Sequence, residues 1–321
     1  MAFIIMQSCS KSTQADVKPI GKDSIVVVKP PPVQVDTLPA AKYDLSLLTK
    51  CTLFASTPVT NNTQHNFREL SGVAASHVYP GLLYVHEDSG NANEVYVTNA
   101  GGDDLGKIVL NGVYNRDWED IATGPGPDPT KTYIYVAEIG DNDAVYNSVY
   151  VYRFPEPDLS GANAQTVKEV TPDKIQMSYP TGAVNAETLM IEPSTKDLYI
   201  ATKQTGKSIL YVARYPQSLT VTNTLAPLAK LPFDLLTAGD ISPDGTEILI
   251  RNTGQIWYWK RQPGESVAST LLRAPQDAPY SRNEHQGEGV GFAADGGGYF
   301  TNSDVKKYPT DKSSISFYKR N

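Results

Sequence analysis

The stretch GDISPDGTEILIRNTGQIWYWKR, residues 239–261, carries the pattern from which the fold is predicted. It contains short runs rich in Ile, Leu, Trp and Tyr, separated by polar turns such as SPDGTE. Runs of β-branched and aromatic residues bounded by Gly, Pro, Asp and Asn are typical of short strands joined by tight turns. We therefore interpret this stretch as three consecutive antiparallel strands.

The same pattern occurs five times along the chain. The first strand of each repeat begins at a similar tetrapeptide: SGVA at Ser71, EDIA at Glu119, ETLM at Glu187, GDIS at Gly239 and EGVG at Glu288. The spacings are 48, 68, 52 and 49 residues. A turn, a second strand such as YIYVAE and a third strand such as SVYVYRF follow each tetrapeptide, and the first four repeats add a weaker fourth strand.

A repeat of about 50 residues with four antiparallel strands is the signature of a β-propeller blade. One blade leaves both faces of its sheet uncovered, so several blades must pack around a common axis. We predict an all-β fold, a five-bladed β-propeller. The 68-residue spacing leaves room for a sixth blade as an alternative, and a β-sandwich or two small β-domains is another alternative.

The fifth repeat has no fourth strand of its own, because its third strand, SISFYKR, ends one residue before Asn321. The segment KCTLFAST, residues 50–57, precedes the first repeat and has no partner within it. We expect this N-terminal strand to pair with the last strand and close the ring, since an unpaired edge invites aggregation.

Composition restricts the classes of function. The chain has 321 residues, 40% of them hydrophobic, and a formal net charge of −7, so a disordered chain is excluded. The acidic balance and the lack of a Lys/Arg-rich run argue against a nucleic-acid partner. With only two cysteines, a disulfide framework does not support the fold.

The first nine residues, MAFIIMQSC, resemble the lipobox of bacterial lipoprotein signal peptides, in which a short apolar run and a small residue precede a lipidated Cys. The resemblance implies lipidation at Cys9 and an extracytoplasmic protein anchored to a bacterial membrane, facing the periplasm or the cell surface. We predict a signal peptide over 1–9, a Pro-rich tether over 10–42 and the propeller over 43–321. A hydrophobic N-terminus buried in the fold is the alternative.

Acidic and amide side chains recur at one predicted end of the blades. The start of a first strand and the end of a second strand meet at the same mouth of the central channel, and side chains two residues apart on a strand point the same way. The candidate metal ligands at this mouth are Glu69, Asp117, Glu119, Glu187, Glu288, Asn185, Asn252 and Asn302. Glu87 and Glu138 end second strands at the same level.

Clustered carboxylates repel one another unless a cation compensates. Carboxylate and amide oxygens, without Cys or clustered His, are the ligands of Ca²⁺ rather than of zinc. The repeat plan and the acidic mouth resemble those of calcium-dependent propeller hydrolases, namely the phytase-like, lactonase and nucleotidase families. The resemblance implies Ca²⁺ as the cofactor. The alternative is that these carboxylates bond backbone amides of neighbouring blades and fix their packing.

Two histidines are candidates for proton transfer. His86 precedes Glu87 at the end of a second strand, and His285 lies in the loop that enters the fifth repeat. Because closure of the ring makes these blades neighbours, we consider His86, His285 and Glu87 as candidate catalytic residues. Independent hydrogen-bonding roles are the alternative. The segment GDNDA at Gly140 resembles half of a calcium loop, but it lacks the later Glu and predicts a turn.

Two functions remain open at this stage. The first is a membrane-anchored module that binds a small molecule or a protein at the acidic mouth with Ca²⁺. The second is a calcium-dependent hydrolase of phosphate esters or lactones, in which the ion polarises the substrate oxygen. A propeller fold is compatible with either function, so the two can be distinguished only by the geometry and chemistry of the site.

Overall fold

The computed structural model describes residues 35–321. These residues form five antiparallel sheets that are extended at two edges by a short parallel strand. Within this part of the chain, no helix is both long and apolar enough to cross a membrane. The predicted lipidation site, Cys9, and most of the predicted tether lie outside the described residues.

The elements follow one another along the chain as four-stranded units. Strand β1 (Val59–Asn62) precedes the first blade, and two single-turn 3₁₀ helices (Val35–Thr37 and Leu45–Leu47) precede β1. Blade one contains β2 (Leu70–Ala75), β3 (Leu82–Glu87), β4 (Glu94–Asn99) and β5 (Lys107–Leu110). Blade two contains β6 (Trp118–Pro125), β7 (Thr132–Glu138), β8 (Val149–Pro155) and, after β9 (Val167–Val170), β10 (Asp173–Ser178).

The remaining three blades follow the same plan. Blade three contains β11 (Ala186–Ile191), β12 (Leu198–Thr202), β13 (Ser208–Ala213) and, after β14 (Asn223–Thr224), β15 (Ala226–Leu231). Blade four contains β16 (Leu236–Ile241), β17 (Glu247–Asn252), β18 (Gln255–Lys260) and, after helix α1 (Val267–Leu271), β19 (Gln276–Ala278). Blade five contains β20 (Gly287–Phe292), β21 (Gly298–Ser303) and β22 (Ser314–Lys319).

The first strands of the five blades line the axis. Strands β2, β6, β11, β16 and β20 each contact the first strand of the next blade, and β20 contacts β2, so the cycle is complete. The prediction of a five-bladed β-propeller is confirmed, and the described residues contain no sixth blade. The long second spacing is explained by β9, which leaves blade two and pairs in parallel with β5 of blade one.

The hydrophobic core is divided into five clusters, and each cluster fills the space between two neighbouring blades. Trp257 shows how the sequence pattern leads to this packing. Its ring centroid lies 4.4 Å from that of Phe233, and both side chains are buried between blades three and four. Burial of one large apolar side chain contributes about 1.5–3 kcal/mol, so the blades are held together mainly by these interfaces.

The fourth strand of blade five comes from the N-terminal side of blade one. Strand β1 pairs antiparallel with β22, from Val59 opposite Phe317 to Asn62 opposite Ser314. The pairing therefore lies at residues 59–62, whereas the sequence placed it at residues 50–57. The predicted segment also contacts the end of the last strand, where Phe54 forms a bridge opposite Arg320. The Ala55 amide donates to the Lys319 carbonyl oxygen at 2.8 Å, and the Asn321 amide donates to the Leu53 carbonyl oxygen at 2.9 Å.

The segment from residue 39 to residue 55 runs along the outer edges of three blades, and we call it the outer strap. Its Ala41 amide donates to the Lys230 carbonyl oxygen on β15 at 3.0 Å. Further along, the Cys51 amide donates to Asp277 on β19 at 2.8 Å. The strap thus covers the outermost strands of blades three and four before the chain reaches β1, which leaves fewer exposed edge groups.

Candidate metal centre at the channel mouth

A β-bulge interrupts the first strand of every blade at the same end of the propeller. The pairing with the second strand skips one or two residues near the start of β2, β6, β11, β16 and β20. A bulge leaves a residue unpaired and turns its side chain out of the regular alternation. The skipped positions hold Ser71, Glu119, Glu187, Thr237 and Glu288.

The two hydroxyl residues in this ring hold the backbone of the next blade. Ser71 Oγ donates a hydrogen bond to the Glu119 carbonyl oxygen, and Thr237 Oγ1 donates to that of Glu288 at 3.1 Å. The bulge of blade four thus falls at Thr237, two residues before Gly239, where the repeat comparison placed the strand start. The other three bulge residues are the glutamates of blades two, three and five, and their side chains line the mouth.

Two of these glutamates accept a hydrogen bond from the side-chain amide of the residue two positions earlier. Asn185 Nδ2 lies 3.4 Å from Glu187 Oε1, and Gln286 Nε2 donates to Glu288 Oε1 at 3.0 Å. In blade two the corresponding residue is Asp117, which brings a second carboxylate instead of an amide donor. The mouth is therefore asymmetric, and blade two is its most acidic part.

Asp88, Asp117 and Glu119 form a compact group that we call the acidic triad. One carboxylate oxygen from each residue lies within 4.8 Å of the other two. Among the described residues, no side chain or backbone group donates a hydrogen bond or forms an ion pair with the Glu119 carboxylate, although this residue is only 4% exposed. The Glu119 carboxylate therefore has no protein donor, and it lines the cavity at the mouth.

The electrostatic cost of the triad appears in its pKa values. Burial, and then the neighbouring carboxylate of Asp88, raise the pKa of Asp117 to about 6. Burial raises the pKa of Glu119 well above its usual range, and the charges of Glu187, Asp88 and Asp117 raise it further. Burial also raises the pKa of Asp88. A bound cation would relieve all three groups at once.

Gly140 leaves the space that the triad uses. A Cβ atom at this position would lie 2.1 Å from Glu119 Oε1 and 2.5 Å from Asp117 Cγ. Only a residue without a side chain therefore permits the two carboxylates to occupy this place. The Gly140 amide also donates to the Asp117 carbonyl oxygen at 3.2 Å, which fixes the loop against the strand start.

Lys203 lines the same mouth cavity, and the sequence comparison did not identify it. It follows the last residue of β12, and its ammonium group forms an ion pair with Glu187. Burial opposes its charge, but Glu187, Glu288 and Glu119 together raise the pKa of Lys203 to about 12. Blade three thus supplies a fixed positive charge to the side of the mouth that holds Glu187.

The triad residues Asp88 and Glu119, together with Lys203 and charged groups of blade five, line a cavity of about 350 Å³. Within it, Glu69 forms an ion pair with Lys306. The acidic residues that line this cavity are Glu69, Asp88, Glu119, Glu187, Glu288 and Asp304, and the basic ones are Lys203, Lys306 and Lys307. Carboxylates therefore outnumber ammonium groups two to one in the lining of this cavity. Asp117, which belongs to the acidic triad, adds a further carboxylate beside it.

The structure separates the other candidate ligands from this cavity. Asn252 accepts from the Gly254 amide at 3.0 Å within a turn. Asn302 joins blades five and one, because it accepts from the Gly289 amide at 2.8 Å and donates to the Gly72 carbonyl oxygen at 3.0 Å. Both side chains use their polar atoms within the protein scaffold.

The two glutamates at the ends of second strands are also engaged with the protein. Glu87 Oε1 accepts from the Arg68 amide at 2.8 Å. Glu138 accepts from the Tyr152 hydroxyl at 2.8 Å and lies 3.5 Å from Arg116 Nε. Neither carboxylate lines the mouth cavity.

The candidate histidines lie in different surroundings, and neither lines the mouth cavity. His86 is fully buried, its Nδ1 lies 3.1 Å from the Glu87 carbonyl oxygen, and burial lowers its pKa to about 4. His285 is exposed, and its Nδ1 lies 3.0 Å from Asp311 Oδ2. The structure therefore does not bring the two imidazoles together at the mouth.

Some acidic residues at the blade starts have the structural role that was kept as an alternative. Asp120, next to Glu119, accepts hydrogen bonds from backbone amides of blades three and four, and Asp240 accepts from the Phe292 amide at 2.8 Å in blade five. In the GDNDA segment, Asp141 accepts from two amides of its own turn. Amide binding and mouth lining are thus divided between adjacent residues.

The donor set at the triad fits a hard divalent cation. All three side chains offer carboxylate oxygens, and among the described residues no Cys or His lines the cavity. Such a set suits Ca²⁺ and does not suit zinc. The buried, undonated carboxylate of Glu119 and the space left by Gly140 are further features that a bound cation would explain.

Comparison with known proteins adds no family assignment. No protein-family model matches the chain, and no curated protein shows significant sequence similarity to it. The fold and the geometry of the mouth are therefore the basis for any functional conclusion.

Proposed function

We propose that this β-propeller binds Ca²⁺ at Asp88, Asp117 and Glu119, and that the ion completes a binding site for a ligand or partner at the channel mouth. The observation that carries this proposal is the Glu119 carboxylate, which lies at the wall of the mouth cavity within 4.8 Å of two other carboxylates and has no donor among the described residues. Carboxylates held this close together repel one another, so the arrangement favours an external cation.

The size and position of the cavity suit a small ligand. Its volume of about 350 Å³ lies at the lower end of the range of about 300–1,000 Å³ for small-molecule sites. The triad occupies one wall, so a cation there keeps part of its coordination sphere towards the cavity. A protein could instead present a single side chain to the same place.

The N-terminal sequence is the basis for proposing the cellular compartment in which the protein works. The lipobox-like MAFIIMQSC supports a lipid anchor at Cys9 and a propeller that works outside the cytoplasm. Extracytoplasmic fluids hold Ca²⁺ at levels that weak sites of about 10⁻⁴–10⁻³ M can use, so the proposed site does not require high affinity.

Thermal unfolding with and without Ca²⁺ tests the proposal. At a calcium concentration about 100 times the dissociation constant, binding stabilises the folded state by roughly 2.7 kcal/mol. For a domain of this size we expect the melting temperature to rise by about 4–5 °C, and a chelator should reverse the rise. Mg²⁺ at the same concentration should have a smaller effect, because it dehydrates reluctantly.

Two variants with the same chemical change separate the triad from the rest of the mouth. Glu119→Gln should abolish the calcium response, and the protein without calcium should be as stable as wild type or more stable. Glu69→Gln should keep the response, because Glu69 lines the same cavity but pairs with Lys306. A wild-type protein whose melting temperature ignores Ca²⁺ would refute the proposed site.

Hydrolysis of a phosphate ester or lactone is the second candidate. It is favoured by Lys203, which lines the same cavity as Asp88 and Glu119. A metal ion beside an ammonium group stabilises developing negative charge. Hydrolysis of p-nitrophenyl phosphate or of a simple lactone that needs Ca²⁺ and is lost in Glu119→Gln would establish this activity. Calcium binding without turnover would leave the binding function.

A further inference from the structure

Lys203 occupies a defined position in the repeat. Its backbone amide donates to the carbonyl oxygen of Asn185 at 3.0 Å, just after the second strand ends. The amides of Asp88, Gly140 and Asp304 make the same bond in their own blades, to Glu69, Asp117 and Gln286. The four residues are therefore structural equivalents around the mouth. Two of them are acidic, one is glycine, and Lys203 alone is basic.

The ammonium group of Lys203 is placed among carboxylates rather than towards solvent. Its side chain is 22% exposed, and it contacts Glu187, which is itself buried. Its positive charge also lowers the pKa of Glu288 and of Glu119, against the raising effect of burial. Glu119, Glu187 and Glu288, the three glutamates at the β-bulges, line the same cavity as Lys203.

The donors around the three glutamates are distributed unequally. Glu187 receives the ammonium of Lys203 and the amide of Asn185, and Glu288 receives the amide of Gln286. Glu119 receives no hydrogen bond from the described residues and faces Asp88 and Asp117. Lys203 thus forms a direct ion pair with Glu187, whereas among the described residues no basic side chain forms an ion pair with the acidic triad.

We propose that the ammonium group of Lys203 takes the place of a second divalent cation, so that the mouth binds a single ion, at Asp88, Asp117 and Glu119. This inference rests on the proposed function, because it specifies how many ions the same mouth binds. Glu187 and Glu288 are both buried and line the same cavity as Lys203. Removing the ammonium partner would leave buried negative charge uncompensated, and a divalent cation could balance it. Lys203 therefore determines the metal stoichiometry.

Isothermal titration calorimetry and native mass spectrometry with Ca²⁺ alone test this. The wild-type protein should bind one ion per chain, and Lys203→Met should bind two. Lys203→Arg, which keeps the positive charge, should still bind one. Adding Glu288→Gln to Lys203→Met should return the number to one, because the pair of Glu187 and Glu288 then lacks one carboxylate.

The outcomes distinguish the inference from the proposed function. A wild-type protein that binds no calcium refutes the proposed function itself. If wild type binds one ion and folded Lys203→Met also binds one, the site at the triad stands and the role of Lys203 is refuted. If Lys203→Met does not fold, Glu187→Gln decides: it should still bind one ion, and loss of binding would show that Glu187 ligates the metal and overturn the inference.

Discussion

The carboxylate of Asp120 accepts a 2.9 Å hydrogen bond from the backbone amide of Leu189 in the next blade. The same carboxylate lies 3.3 Å from the Gly239 amide in the blade after that. Its neighbour Glu119 sits in the β-bulge and turns into the mouth. Two consecutive acidic residues therefore serve opposite purposes: one joins three blades, and the other is left without a donor.

This division predicts opposite effects of removing the two charges. Asp120→Asn places an amide NH₂ group among backbone N–H donors, so the free energy of unfolding should fall by about 1–3 kcal/mol in urea denaturation. Glu119→Gln, the adjacent and matched change, should leave the calcium-free protein as stable as wild type or more stable, because it removes like-charge repulsion. The reverse order of stabilities would contradict these roles.

The burial of His86 predicts an acid-dependent loss of stability. Burial lowers its pKa in the folded state from 6.5 to about 4. Between these values the unfolded chain binds a proton that the folded chain does not, so stability falls as the pH decreases through this range. The full loss from this residue is about 3 kcal/mol, and it is complete near pH 4.

Comparing variants separates the contribution of His86 to the pH dependence of stability from the contribution of the many carboxylates. His86→Phe should make the unfolding free energy less dependent on pH between 6.5 and 4 than in wild type. His285→Phe is the comparison variant, because it makes the same replacement at an exposed histidine. Chemical denaturation at four pH values within this window measures both effects. An unchanged slope in His86→Phe would show that the pKa of His86 does not differ between the folded and unfolded states.

The blade count was predictable because hydrophobic alternation and turn residues recur with a constant order in each repeat. The closing strand was misplaced for a physical reason. Residues 50–57 are more apolar than VTNN at 59–62, yet Phe54 is buried in the core between blades four and five, and the polar segment makes the ladder. One part of the segment is thus buried in the core and another part pairs with the last strand. Hydropathy alone does not distinguish these two parts.

The mouth was predictable only in part, because a bulge leaves little trace in sequence. Glu119, Glu187 and Glu288 were identified, since they repeat at the strand start. Lys203 and Asp88 were missed, although both directly follow a second strand and a comparison of that position across repeats would have shown them. Asn302 was expected at the mouth, but its amide joins two blades.

Gly140 gives a steric test of the proposed metal centre. In Gly140→Ala the new Cβ would lie 2.1 Å from Glu119 Oε1, so the carboxylate must move and the triad must open. We expect calcium affinity to fall at least about tenfold, which corresponds to roughly 1.4 kcal/mol. Gly254→Ala is the matched control, because no atom lies within 4 Å of its added Cβ. Equal affinities in the two variants would place the ion elsewhere.

The predicted lipid anchor is tested at Cys9. Cys9→Ser should move the protein from the membrane fraction to the soluble extracytoplasmic fraction, because lipid attachment requires the thiol. Cys51→Ser is the control for cysteine replacement, since Cys51 is buried against the outer strand of blade four and should not affect fractionation. Membrane association that persists in Cys9→Ser would refute the anchor.

Phe54 and its neighbour Leu53 test how the outer strap holds the ring together. Phe54 is 2% exposed, and its ring packs edge-on against Tyr299 at 4.8 Å and Tyr258 at 5.6 Å, between blades four and five. Leu53 is 40% exposed.

Phe54→Ala should lower the unfolding free energy by about 3–5 kcal/mol, and it should also loosen the chain just before β1. Release of β1 exposes the edge of β22, so we expect concentration-dependent association on warming, seen by light scattering. Leu53→Ala should change stability by less than about 0.5 kcal/mol and remain monodisperse. If Phe54→Ala loses stability without associating, β1 stays paired independently of the strap, and the two segments close the ring separately.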